Sequence, residues 1–394
     1  MRPLKLLFVF YFFVISNAGA QRLVYTPASG QINAWLDSLL FKNDKWLDSV
    51  WKSEKKWKIQ LYYSKIDRTQ NGWPVLTHYT LKNDSLLVLD AANEPLGLVL
   101  LAMKKMNELD SKGINLNTTM ITESQSGIYG DHEPAYVDPR WPDGRPSLGR
   151  YISDLLLLHD EHAFNRIFEF VGPEYVQQQF GTKGISIRYG QRLPQESVLS
   201  ARNTNKLVFF SDNLVKLYIQ EEKYFDRPYL PFTNGFDPGH TNSMLLKDAH
   251  DLFMALFFPA LKTTPFFFSL NDRDREKLWG DLSQKTEEIQ FPFFNPQEKA
   301  VPLLAGFTDS IKTARVFHNG GNFNGQWSES VFVIDTASKI EYFLSIGLDT
   351  GNDEEAPTAE QLLERVGRIV FEYEKTRFRK YPPNLKDFVL KIDK

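Results

Sequence analysis

Runs that alternate apolar and polar residues stand near both ends of this chain. Early on, WKIQLYYSKI (57–66) sets Ile59, Leu61 and Tyr63 two apart, and after Asn71-Gly72 the run VLTHYTL (75–81) follows. Towards the end come TARVFHN (313–319), SESVFVID (328–335) and KIEYFLSIG (339–347). A period of two is the mark of a strand with one buried face, and Asn-Gly is a hairpin turn. Strands so far apart in sequence are expected to share one antiparallel sheet, with the intervening chain inserted into it.

The intervening chain has the helical period. LGLVLLAMKKMNEL (96–109) puts Leu96, Val99, Leu100, Met103 and Met106 on one face, and Pro95 suits its first turn, where a missing N–H costs nothing. A loop rich in Gly, Pro and Asp follows (126–147). Then come LGRYISDLLLLHDEHAFNRIFEFVG (148–172), PEYVQQQFG (173–181), KDAHDLFMALFFPAL (247–261) and RDREKLWGDL (273–282). The segment from about 200 to 245 shows neither period and is expected to be irregular. An amphipathic helix over 356–377 closes the globule, and residues 31–52, ahead of the first strand, also have apolar residues at helical spacing. The expected fold class is α/β in the α+β sense: an antiparallel sheet flanked by helices, with a helical subdomain inserted. The expected division is 1–20 as a signal peptide, 21–95 with 300–394 as the α/β subdomain, and 96–299 as the mainly helical one.

The signal peptide is expected from MRPLKLLFVFYFFVISNAGAQ. Arg2 and Lys5 precede an apolar run from Leu6 to Ile15, and Ala18-Gly19-Ala20 is an A-x-A cleavage site. No later apolar run approaches a membrane span, so the mature chain is expected to be secreted or periplasmic, with no membrane span. A net charge of −3 gives no electrostatic case for nucleic acid or an anionic membrane surface. The chain contains 0 cysteines, which removes disulfides, thiolate nucleophiles and thiolate metal sites.

The helix LGLVLLAMKKMNEL, the block AFNRIFEFVGPEYV and the close VFVID, EYFLSIG and GRIVFEYE give the chain its resemblance to the class A β-lactamase and penicillin-binding-protein-like serine hydrolases. The resemblance runs in order along nearly the whole mature chain. It implies a β-lactamase/transpeptidase-like fold and catalysis by S-x-x-K at the start of the first buried helix, S-D-N in the helical region and K-T-G on a sheet strand. In that scheme the serine attacks a carbonyl, a lysine helps remove its proton, and the K-T-G strand serves the substrate carboxylate and the oxyanion.

This chain departs from the pattern at all three places. In LDAANEPLGL, Ala92 falls where the nucleophile belongs and Pro95 where the lysine belongs. In LHDEHAFNR, His159 takes the serine position, Asp160 matches, and Glu161 replaces asparagine. In VFHNGGNFNG, Asn319 stands for the lysine, Gly320 for the threonine, and Gly321 matches. A register slip does not rescue the nucleophile, because residues 86–100 hold neither serine nor lysine. The resemblance therefore implies an inactive relative, with the retained cleft free to bind peptidoglycan fragments or another exported protein.

Other chemistry has weaker support in the residues. Ser49 with Lys52, and Ser53 with Lys56, repeat S-x-x-K, but in a charged segment ahead of the first strand. His159 and His162 are three apart, which would place them on one face of an unbroken helix, though HDEH is not the zinc-protease spacing. His132, His240 and His318 would have to converge from loops. Asp160 and Glu161 could serve as an acid/base pair, but adjacent residues on a helix diverge by about 100°. GGNFNGQW lacks the lysine of a phosphate loop and is expected to be a hairpin turn. The Phe-rich runs 257–270 and 289–296 are expected to be core. No cofactor or metal is expected. The alternative to an inactive relative is a hydrolase using His159 and Asp160.

Overall fold

The strands from both ends of the chain pair with one another in the computed structural model. It describes residues 25–26, 30–42, 44–52, 57–82, 87–123, 134–192, 202–224, 230–232, 235, 237, 242–259, 270–285, 288–289, 301–305, 314–351, 353–385 and 388. The signal segment 1–20, Ser53, Lys56, His132, His240 and most of the Phe-rich runs lie outside them.

In chain order the N-terminal part holds β1 (Tyr25–Thr26), α1 (Gly30–Phe41), α2 (Lys45–Trp51), β2 (Lys58–Arg68), β3 (Pro74–Lys82) and β4 (Val88–Leu89). A 3-10 turn, Ala91–Asn93, leads into α3 (Leu96–Glu108). The middle holds β5 (Thr119–Glu123), α4 (Leu148–Leu158), α5 (Glu161–Val171), α6 (Pro173–Val176), β6 (Ile187–Arg188), β7 (Lys206–Phe210), β8 (Lys216–Gln220), β9 (Ser243–Leu245), α7 (Leu246–Phe257) and α8 (Asp272–Ser283). The close holds α9 (Pro302–Ala305), β10 (Ala314–Phe323), β11 (Gln326–Asp335), β12 (Ile340–Asp349) and α10 (Ala356–Thr376).

The main sheet has six strands in the order β1-β3-β2-β12-β11-β10, antiparallel except for the short β1–β3 pair. Its seam is β2 against β12, with Leu61 opposite Ile346 and Tyr63 opposite Leu344. Side chains alternate across the sheet, so each face builds its own core. Ile59, Leu61, Tyr63, Val331, Val333, Leu344 and Ile346 pack with residues of α1, α2 and α10. Ile66, Leu76, Phe317, Phe332, Ile334 and Phe343 pack with residues of α3, α4, α5, α7 and α8. Phe257, from the first Phe-rich run, meets the rings of Phe317, Phe332 and Phe343 edge-on or tilted at 4.6–5.9 Å, which makes it core.

Three expectations need correction. The segment 200–245 is not irregular: β7 and β8 form an antiparallel pair beside β5, and β9 pairs with β4 and β6. KLVFF and KLYIQ are rich in β-formers but short, and the hairpin between them gives little periodicity to read. The pattern over 148–172 is two helices, not one, and it breaks inside HDEH. His159 takes the left-handed conformation (φ 53°) and ends α4, while Asp160 is extended and caps α5. His159 and His162 therefore do not share a helix. Finally, Gly320 and Gly321 do not form the hairpin turn. Asn324 and Gly325, both with positive φ, make it, and the two glycines lie within β10.

Candidate functional site

Asp90 builds the start of the first buried helix. Its carboxylate accepts the N–H of Ala92 at 2.9 Å, closing the 3-10 turn as an N-cap does. Gln326, at the foot of β11, then pins this turn to the sheet. Its side-chain oxygen accepts the N–H of Asp90 at 2.9 Å and its backbone oxygen accepts from Asn93 at 3.1 Å. Ala92 and Pro95 are buried, so the place of the expected nucleophile and lysine is filled by a methyl group and a pyrrolidine ring.

Strand β10 lies against this turn. A methyl group on Gly321 would sit 3.5 Å from the carbonyl oxygen of Asn93 and 3.7 Å from Nδ1 of His159. The residue after Ala92, the exposed His159 and Gly321 therefore meet at one junction. Asn319 shares the face of Gly321, is buried, and its Oδ1 has no hydrogen-bond partner among the described residues. Gly320 points the other way. A methyl there would lie 2.3 Å from the Ser328 carbonyl oxygen, so this backbone approach requires glycine.

Asp160 and Glu161 are both engaged. Asp160 accepts the N–H of Ala163 at 2.6 Å with one oxygen and pairs with Arg140 at 2.6 Å through the other. Arg140 also meets Asp138 at 3.1 Å and Asp154 at 3.0 Å. Burial of Asp154 outweighs its arginine and lifts its carboxyl to about 7. Glu161 pairs with Arg192 at 3.2 Å, and His162 is exposed. The acid/base geometry weighed for an unbroken helix does not arise.

Arg192 is the residue that reading the sequence missed. From the strand-to-loop segment after β6, its guanidinium reaches Asp90 at 3.2 Å, Asn93 at 3.0 Å and Glu161 at 3.2 Å. It also lies 4.5 Å from the ring centre of Phe323 at the end of β10. One cation thus spans the 3-10 turn, α5 and β10 across the junction. GQRLP carries no signal for this, since the partners are remote in sequence.

Beneath the junction lies a second missed residue. Glu94 is 3% exposed and its Oε1 accepts from the hydroxyls of Ser328 and Ser330. Burial pushes its carboxyl up to about 7 despite these bonds. Glu329, also fully buried, is pushed to about 8, chiefly by burial. A carboxyl inside the apolar run LDAANEPLGL was the visible signal.

Of the S-x-x-K pair, Ser49 sits on α2 and Lys52 caps its C-terminal end; Leu47 and Trp51 of this helix pack in the core of the opposite sheet face. Ser49 donates to the Trp46 carbonyl at 2.8 Å, and Lys52 pairs with Asp48. Among the described residues, no three His, Asp or Glu gather as metal ligands, and no helix is long and apolar enough to cross a membrane.

No family model matches the chain, and no curated protein matches it. Solved structures do. The TLA-3 extended-spectrum β-lactamase is 12% identical, with a TM-score of 0.50, and the match covers 86% of this chain and 98% of that one. A class A β-lactamase from Bacteroides cellulosilyticus DSM 14838 is 14% identical, also with a TM-score of 0.50, over 88% of this chain and 99% of that one. The likeness is one of fold: this chain has the β-lactamase/transpeptidase-like α/β architecture that the sequence resemblance implied.

Proposed function

We propose that this chain is an exported, non-catalytic relative of the β-lactamase-like serine hydrolases, and that it uses the junction of Asn93, His159 and Gly321 to bind rather than to turn over. The observation that carries this reading is the start of α3. There the residue expected to attack is Ala92, its N–H is taken by Asp90, and Arg192 ties Asp90 and Asn93 to Glu161. A hydroxyl or thiolate with a base in reach is what acyl transfer requires, and residues 87–100 offer neither. Peptidoglycan fragments or another exported protein are the ligands we favour, on the strength of the resemblance. Export rests on the N-terminal segment 1–20.

The alternative, turnover by His159 with Asp160, has less support, because both Asp160 oxygens are committed to Ala163 and Arg140. The test is intact-mass spectrometry of residues 21–394 after incubation with penicillin or a reactive ester, beside an active hydrolase. We expect no mass gain. A stoichiometric adduct would overturn the proposal, and peptide mapping would name the nucleophile. Thermal stabilisation by muropeptides would support the binding role, and its absence over a wide concentration range would remove those ligands.

A further inference from the structure

A continuous line of buried hydrogen bonds leaves Glu94 and crosses the sheet. Ser330 Oγ lies 2.9 Å from Glu94 Oε1, and Ser330 and Ser345, directly opposite on β11 and β12, are 2.7 Å apart. Ser345 Oγ is 2.7 Å from Nδ1 of His250 on α7, and Nε2 of His250 is 2.7 Å from Ser64 Oγ on β2. Ser64 Oγ is in turn 2.7 Å from Nδ1 of His78, its cross-strand partner on β3. Ser330, Ser345 and Ser64 are 0% exposed, His250 2% and His78 9%.

Counting protons shows what such a line can do. Each serine owns one hydroxyl proton, and each neutral imidazole one N–H. If Glu94 is ionised, Ser330 must donate to it. Ser345 then donates to Ser330, His250 donates through Nδ1 to Ser345, Ser64 donates to Nε2 of His250, and His78 donates through Nδ1 to Ser64. If Glu94 carries a proton and donates it to Ser330, every later bond reverses. His250 then accepts at Nδ1 and carries its proton on Nε2, and so does His78. Ser328 donates to Glu94 in both states. The two states differ by one proton, drawn from water and resting on Glu94.

We propose that the line is a tautomer switch: the charge of Glu94, beside the candidate site, sets which nitrogen bears the proton on His250 and His78 at the far side of the sheet. The proposal stands whether or not the site turns over a substrate. Buried networks of this kind polarise one another along their length. The surroundings favour a change at Glu94 rather than at the histidines. Burial pushes the Glu94 carboxyl to about 7, burial and Lys247 hold His78 down to about 4, and burial, His78 and Lys247 hold His250 well below its ordinary value. Glu329, Tyr189 and Asp90 are the titratable groups around the Glu94 end. Around the histidine end stand Lys247, paired with Asp251, then Asp248 and the Tyr62 ring at 5.9 Å from His250.

The experiment is long-range 15N–1H correlation of the histidine rings in the labelled protein from about pH 5 to about pH 9, with the Glu94 carboxyl followed by 13C. We expect His250 and His78 to stay neutral and to exchange Nε2–H for Nδ1–H together as pH rises, with the midpoint of the Glu94 carboxyl. In Glu94→Gln the exchange should vanish. In Ser345→Ala the Glu94 carboxyl should still titrate while both histidines stop following it. A fixed tautomer in the parent while Glu94 titrates would overturn the proposal, as would exchange that survives in Ser345→Ala. Should Ser345→Ala fail to fold, the parent spectra alone decide, since uncoupled midpoints there exclude the switch.

Discussion

Arg192 holds Glu161 at 3.2 Å with one terminal nitrogen while the other reaches Asp90 at 3.2 Å and Asn93 at 3.0 Å. This joins the start of α5 to the 3-10 turn ahead of α3 through one side chain, only 17% exposed. Replacing it with methionine keeps most of the volume and removes the charge. Arg192→Met should cost about 1–3 kcal/mol, because Asp90 and Asn93 lose a charge-assisted partner in a half-buried place. Urea denaturation measures this. An unchanged midpoint would mean that solvent already screens these pairs.

A hydroxyl placed at position 92 should not by itself give acylation. Ala92→Ser would place a serine beside Asp90 and Pro95, with no amine in the segment to take its proton. The variant should remain unlabelled by penicillin in the mass measurement. A labelled Ala92→Ser would mean that a base already faces Ala92, with His159 the first to examine.

The neighbouring glycines of β10 should differ sharply. Gly320→Ala would press a methyl to 2.3 Å from the Ser328 carbonyl oxygen and 2.7 Å from Glu329 Cα, both backbone atoms of the paired strand. We expect a loss of about 2–4 kcal/mol or failure to fold. Gly321→Ala meets its neighbours at 3.5 Å or more and should stay within about 1 kcal/mol of the parent, while narrowing the junction against His159. Thermal midpoints of the two variants compared side by side provide the check.

Glu94 should give stability an inverse dependence on pH. Its folded value, about 7, lies above the ordinary 4.5, so the folded state binds the proton more tightly. This contribution is fully present below about pH 4.5 and is lost as pH rises through about 7, a change of order 3 kcal/mol. His78 and His250 act oppositely: held low, they lose their contribution as pH falls below about 6.5. Glu94→Gln should therefore lose less stability than the parent between about pH 5 and pH 8, read from denaturation at each pH. Parallel curves for the two proteins would mean that Glu94 is not the titrating group.

The sheet was legible because its strands alternate over long runs. Ile59, Leu61 and Tyr63, expected on one face from spacing alone, share one core. The break within HDEH was not, because it depends on His159 adopting a left-handed conformation that many residues can enter only with difficulty and none announces. The hairpin of β7 and β8 was too short to show a period. Arg192 and the Glu94 line escaped for another reason. Each is assembled from residues on several elements, and pairings such as Ser330 with Ser345 exist only once the strand register is fixed.

That register has its own consequence for how the chain comes to be folded. β2 is hydrogen-bonded to β3 on one side, but its other neighbour is β12, at residues 340–349. During synthesis, the first hairpin must wait with one edge open until almost all of the chain has arrived. Any chain interrupted between α3 and β12 carries that unpaired edge, an invitation to join a strand from another molecule. The last strands to emerge thus decide whether the first are protected.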